Sequence, residues 1–95
     1  MADCPFCKII SGDISAAKLV ETDKVLSFMD INPVNPGHAL VIPKRHVETL
    51  LDLTQEELHG ISFLVRRVAG AVVDATAADG FNVLQNNGRC AGQVV

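Results

Sequence analysis

The stretch Val25-Leu-Ser-Phe-Met-Asp-Ile-Asn-Pro-Val-Asn-Pro-Gly-His-Ala-Leu-Val-Ile-Pro43 carries two apolar runs with a break between them. Val25 to Met29 is short and extended in character. Ala17 to Glu21 precedes it across Thr22-Asp23-Lys24, the spacing of a hairpin with a short loop. Pro33, Pro36 and Gly37 then interrupt the chain. His38 to Pro43 reads as a buried strand with a β-branched centre, stopped by its own proline. Asp30 therefore falls at the exit of a strand.

Upstream, Cys4-Pro5-Phe6-Cys7 and the apolar Ile9-Ile10 end at the turn signal Ser11-Gly12-Asp13. Downstream, Thr54-Gln-Glu-Glu57 places a capping threonine three residues before a glutamate, and Leu58, Ile61, Val65, Val68 and Val72 follow at helical spacing with Arg66 and Arg67 off the stripe. Asp79-Gly80 reads as the helix stop, and Phe81 to Gln85 as a further strand. A polar loop from Asn86 to Gln93 leads to Val94-Val95, where an apolar, β-branched run begins. These elements predict an α+β fold, an antiparallel sheet with one main helix packed on it, as a single domain over 1–95 whose last strand is missing. A sheet lacking that strand would leave an unpaired edge.

A chain of 95 residues supports one core, since it hides only roughly 60 to 70% of its unfolded surface. Hydrophobic residues at 48% and charged ones at 20% are ordinary globular values. The net charge of −3 argues against a nucleic-acid or anionic-membrane binder, which needs clustered Lys and Arg. Three cysteines leave a thiol over from any pairing, which fits a reducing compartment. With no signal-peptide pattern and no apolar run long enough to span a bilayer, the expectation is a soluble, cytoplasmic protein.

Cys4 and Cys7 can chelate zinc, run thiol redox chemistry, or stand as a reduced pair. Zinc needs about four soft or borderline ligands, and two cysteines two residues apart can present both sulfurs to one ion. Among His38, His46 and His59, His46 lies in loop just past Pro43 and can reach such a knuckle. Cys-Pro-Phe-Cys also resembles a glutaredoxin active site, although that fold needs a strand before the motif. Asp30 can hold the two adjacent hydroxyls of a ribose beside apolar groups that hold a base, or it can cap the Asn-Pro turn that follows. The loop from Gly88 to Gln93 can present amides to a phosphate, or be a plain surface turn. His38 reads as structural, His59 as surface, Lys44 and Arg45 as solvated cations, and Cys90 as a free thiol. No Ser-His-Asp set, carboxylate pair or Walker loop can be assembled.

Taken together, Ser27 to His46, the Cys-Pro-Phe-Cys start, the helix and the Asn86-Asn87-Gly-x-x-Ala-Gly-Gln loop resemble the histidine triad (HIT) family of nucleotide-binding proteins. That resemblance implies a hydrolase or nucleotidyl transferase acting at the α-phosphorus of nucleoside phosphoramidates or dinucleoside polyphosphates. It casts Asp30 as the ribose carboxylate, with Phe28, Ile31 and Ile14 lining a base pocket for an AMP- or GMP-like nucleotide. Asn86 would orient the catalytic histidine or the phosphate, and Gly92, Gln93 and Val95 would cradle the phosphate. Cys4, Cys7 and His46 are similar to the zinc-binding branch, whose structural zinc takes its fourth ligand from the first histidine of the His-x-His-x-His motif. A homodimer is also implied. The triad itself, whose central histidine forms the nucleotidyl-histidine, is expected after Val95, so the 95 residues alone are expected to be inactive. The alternatives are a non-catalytic nucleotide-binding or scaffold protein and a thiol oxidoreductase using Cys4 and Cys7.

Overall fold

The computed structural model describes residues 4–30, 38–91 and 93. Helix α1 (Pro5–Ser11) opens the chain. Pro5 supplies a pre-set φ at the first helical position, and Gly12 ends the helix at φ +90°, donating its amide to the Ile9 carbonyl. Strands β1 (Lys18–Glu21), β2 (Val25–Met29) and β3 (Ala39–Pro43) form an antiparallel sheet in that order. The hairpin between β1 and β2 is closed by Thr22, whose hydroxyl accepts from the Val25 amide at 3.1 Å while its own amide donates to the Val25 carbonyl at 2.8 Å. β1 is irregular between Lys18 and Val20, as a bulge would make it.

The central strand explains the layering. Val25, Leu26, Ser27 and Phe28 are all buried, so β2 has no solvent face. Successive side chains on a strand point to opposite sides, and the register pairs Leu26 with Ile42 and Phe28 with Leu40. These four share one face with Phe6, Ile9, Ile10 and Ala16. On the other face lies helix α2 (Gln55–Thr76), whose Gly60 comes within van der Waals reach of Val25. The expectation of one main helix on the sheet holds for α2. The cysteine-bearing segment adds the short α1 on the opposite face.

Helix α2 begins as the sequence predicts. Thr54 Oγ1 accepts from the Glu57 amide at 3.1 Å, and Glu57 Oε1 accepts from the Thr54 amide at 2.9 Å. Three details differ from expectation. The buried seam is Glu57, Leu64 and Val68, with Leu58 exposed. The inward face is thus turned by part of a residue step from the expected stripe, and its first residue, Glu57, meets Arg45. The helix stops at Thr76, capped by Ala77 in the left-handed region at φ +55°, before Asp79-Gly80 is reached. Finally, Phe81 to Gln85 forms no strand among the described residues. Phe81 is 62% and Leu84 85% exposed. A strand is defined by its ladder, and no described segment pairs with this one.

Candidate functional site

Two local structures converge beside the end of β3. Cys4 is the N-cap of α1 in extended conformation, and Cys7 lies in the first helical turn, so both sulfurs sit at the same helix end. His46 lies past Pro43, where β3 has ended and the chain turns toward α2. Cys7 Sγ is 3.2 Å from His46 Nδ1, and the donor atoms of Cys4, Cys7 and His46 all lie within 4.8 Å of one another. Two sulfurs and an imidazole around one tetrahedral zinc sit roughly 3.5 to 3.8 Å apart. The observed cluster can close on an ion by small side-chain rotations, and its soft donors fit zinc. These are the three metal residues expected from the sequence.

The two thiols are electrostatically unequal. Burial pushes the Cys4 thiol up, but hydrogen bonds from the Cys7 amide, the Cys7 thiol and the Phe6 amide outweigh it and hold Cys4 below the usual thiol value. Cys7, donating its proton to Cys4, is held above it, with burial and the Cys4 charge adding to the effect. A metal ion binding there would displace the protons of both thiols.

What fixes His46 is its neighbour. Arg45 grips Glu57 through Nε to Oε2 at 3.0 Å and Nη2 to Oε1 at 2.8 Å, and Nη2 also donates to the Asp52 carbonyl at 2.8 Å. Glu57 is 5% exposed. The Arg45 hydrogen bonds, followed by those from Thr54, hold its carboxyl down to about 2, and Glu57 raises the Arg45 guanidinium in turn. Lys44 meets Glu21 at 2.7 Å. The reading of Lys44 and Arg45 as solvated cations is therefore corrected: each faces a carboxylate from a different element. Sequence inspection marked Glu57 as a capping residue, and nothing local showed that Arg45 would share it.

The nucleotide residues fall into two groups. Asp30 stands at the exit of β2, with its amide donating to the His38 carbonyl at 3.0 Å and its Oδ2 3.8 Å from His38 Nε2. Phe28 is 3% exposed and meets Phe6 edge-on, with ring centroids 6.0 Å apart, while Ile14 is 39% exposed. Asn86 and Gln93 instead line a cleft of about 250 Å³ that also receives Cys4, Cys7 and His46. Asp30, Phe28 and Ile14 are not among the described residues lining it. Ile31, Gly92 and Val95 lie outside the described residues.

The loop from 86 to 91 is held in place by side-chain amides. Gln93 donates to the Glu48 carbonyl and accepts from the Gly88 amide. Asn87 Oδ1, which the sequence reading passed over, accepts from the Leu50 amide at 2.7 Å. Gly88 at φ +93° makes the turn, and the Ala91 and Gln93 amides both donate to its carbonyl at 3.1 Å. The doublet Asn86-Asn87 was the available signal, since both can bridge backbone groups.

Comparison with known proteins accounts for this arrangement. Residues 11–95 match the HIT domain, and the chain belongs to the HIT family. It is 48% identical over 92 residues to the adenosine 5'-monophosphoramidase hnt1 of Schizosaccharomyces pombe, covering 97% of this chain and 66% of that one. The crystal structure of a HIT family member from Bacillus subtilis superposes with a TM-score of 0.93 at 46% identity, covering 98% of this chain and 66% of that one. A zinc-bound histidine triad family protein from Mycobacterium smegmatis superposes with a TM-score of 0.91 at 39% identity, over 99% of this chain and 68% of that one. Against the first three matching proteins the chain spans 64%, 47% and 66% of their lengths. No helix among the described residues is long and apolar enough to cross a membrane.

Proposed function

We propose that this chain carries the nucleotide-holding and zinc-holding portion of a cytoplasmic, homodimeric HIT-family hydrolase or nucleotidyl transferase. Its reaction is at the α-phosphorus of a nucleoside phosphoramidate or dinucleoside polyphosphate, through a nucleotidyl-histidine. The observation that carries the reading is the placement of Asp30, half-buried at the exit of β2 with its backbone fixed to His38. An ionised carboxylate there can accept from both hydroxyls of a ribose. Phe28, Ile31 and Ile14 would serve the base. Asn86, Gly92, Gln93 and Val95 would serve the phosphate, with Gln93, bonded to Gly88 and Glu48, shaping the loop. The name of the fission-yeast relative supports adenosine 5'-monophosphoramidate chemistry for the whole protein.

Cys4, Cys7 and His46 would hold zinc as a structural clamp rather than a Lewis acid, since these three side chains fill three of four tetrahedral positions and the resemblance gives the fourth to a histidine expected after Val95. His46 faces Cys7, His38 faces Asp30 and His59 lies on the solvent side of α2, and the nucleophile proposed is instead the triad histidine expected after Val95. On this proposal residues 1–95 alone bind nucleotide without turning it over.

AMP titration of the wild type and of Asp30→Asn, each repeated with 2',3'-dideoxy-AMP, tests this. A charged hydrogen bond is worth about 1.5–3 kcal/mol, so Asp30→Asn weakens AMP roughly tenfold or more, and the dideoxy nucleotide binds both forms alike. Equal AMP affinity for the two proteins removes Asp30 from the site. Binding without any phosphoramidase turnover in the whole protein favours the scaffold reading instead.

A further inference from the structure

We infer that Cys4 and Cys7 are also a redox-modification site, in which a disulfide between them and a bound metal exclude one another. This rests on the zinc reading for its second half and on geometry for its first. The two sulfurs lie within 4.8 Å, and a disulfide requires about 2 Å. In a regular helix turn the side chains of residues three apart start roughly 5–6 Å apart at Cβ, wider than the 3.5–4.5 Å a disulfide accepts. Here the first cysteine is outside the helix. Cys4 is the N-cap, at φ −79° and ψ 115°, so its side chain can swing over the end of α1 without unwinding a turn. The Cys90 thiol lies in a different part of the chain, exposed within the 3₁₀ turn Arg89–Ala91, and serves as an internal control.

The chemistry balances with a peroxide as oxidant. One cysteine sulfur attacks the O–O bond of hydrogen peroxide, giving a sulfenic acid and one water. The second sulfur then displaces the hydroxyl as another water and forms the S–S bond. Both S–H bonds are broken, the two sulfurs lose two electrons in total, and the peroxide is reduced to two waters. A disulfide sulfur is no longer a thiolate ligand, so the oxidised pair cannot hold the metal, and Cys7 gives up its contact with His46. Conversely, a metal holding both sulfurs keeps them from oxidant. The metal-free pair is thus the form that oxidises, and once crosslinked it can neither take up an ion nor fasten α1 to the β3 exit through His46.

The experiment uses the intact protein in two forms, stripped by chelator and loaded with zinc. Each is exposed to hydrogen peroxide and then alkylated and weighed without reduction. The stripped form should lose two hydrogen masses and accept a single alkyl group, mapped to Cys90. The zinc-loaded form should keep all three thiols alkylatable at the same peroxide dose. Cys7→Ser should block the crosslink while leaving Cys90 reactive. If zinc binds and protects but the stripped pair runs on to sulfinic acid or to intermolecular disulfides, the crosslink inference is overturned and the zinc reading stands. If the crosslink forms equally fast in both preparations and no zinc is retained, the zinc reading and the exclusion fall together.

Discussion

Glu57 works at once as a capping residue of α2, the partner of Arg45, and a carboxylate buried at a helix start. Its usual value of 4.5 is lowered to about 2, chiefly by the Arg45 hydrogen bonds. A depressed carboxyl contributes stability above its unfolded value and loses it as pH falls through the folded one. The contribution is therefore full above pH 4.5 and disappears as pH falls from there toward about 2. Glu57→Gln lacks it at every pH. Near neutrality the variant should melt several degrees below the wild type, and the two Tm curves should converge as pH falls through that window. A gap of constant size down to pH 2 would show that the geometry of the amide, and not the charge, is at fault. The Lys44–Glu21 pair also lowers its carboxyl, through the Lys44 hydrogen bond first. Glu21 is exposed, though, and water and salt screen it, so its removal should leave the acid limb nearly unchanged.

The packing of α2 on the sheet turns on one missing side chain. A Cβ at Gly60 would sit 3.1 Å from Val25 Cγ2, while Gly70, on the same helix, has nothing within 4 Å. Replacing a helix-interior glycine by alanine gains about 0.8–1 kcal/mol of propensity. Gly70→Ala should realise that gain, Gly60→Ala should lose part of it to crowding, and Gly60→Leu should cost about 1–3 kcal/mol through overpacking. Chemical denaturation of the three variants checks the order, and equal stabilisation by both alanines would mean that the helix does not press on β2. At this scale the sequence was readable where an element is specified by its own residues. Pro43 ends β3, Thr54 and Glu57 start α2, and Thr22 closes the hairpin. It was unreadable where the cause lies elsewhere. The inward face of α2 starts at Glu57, whose partner Arg45 lies twelve residues earlier. The short α1 shows only Pro5 and Gly12 at its ends, a signal shared with a metal knuckle. Residues 81–85 have strand composition, but composition does not supply a partner.

Across the whole molecule, the Cys4–Cys7–His46 cluster joins the chain's beginning to its middle, alongside the apolar contacts of α1. Helix α1 is seven residues long and touches the sheet through Phe6, Ile9 and Ile10, none of them fully buried. An isolated helix of that length is unstable in water, so its order depends on what fastens it. Cys7 and His46 are 39 positions apart, and a metal bridging them closes that loop, removing conformational freedom that the unfolded chain would otherwise regain. The sequence made the three clustered residues visible because their residue types are chemically restrictive. It left the loop anchors Asn87 and Gln93 ambiguous, because amides bond to backbone anywhere. The thermodynamic consequence follows from mass action: zinc at a hundredfold excess over its dissociation constant stabilises the folded form by about 2.7 kcal/mol. Melting the protein with saturating zinc and with chelator should show that difference as a rise in Tm of order ten degrees for a domain this small. Cys7→Ser and His46→Ala should each abolish the zinc-dependent rise while melting close to the stripped wild type. If the rise survives either substitution, the metal is held elsewhere, and α1 is fastened by its apolar contacts alone.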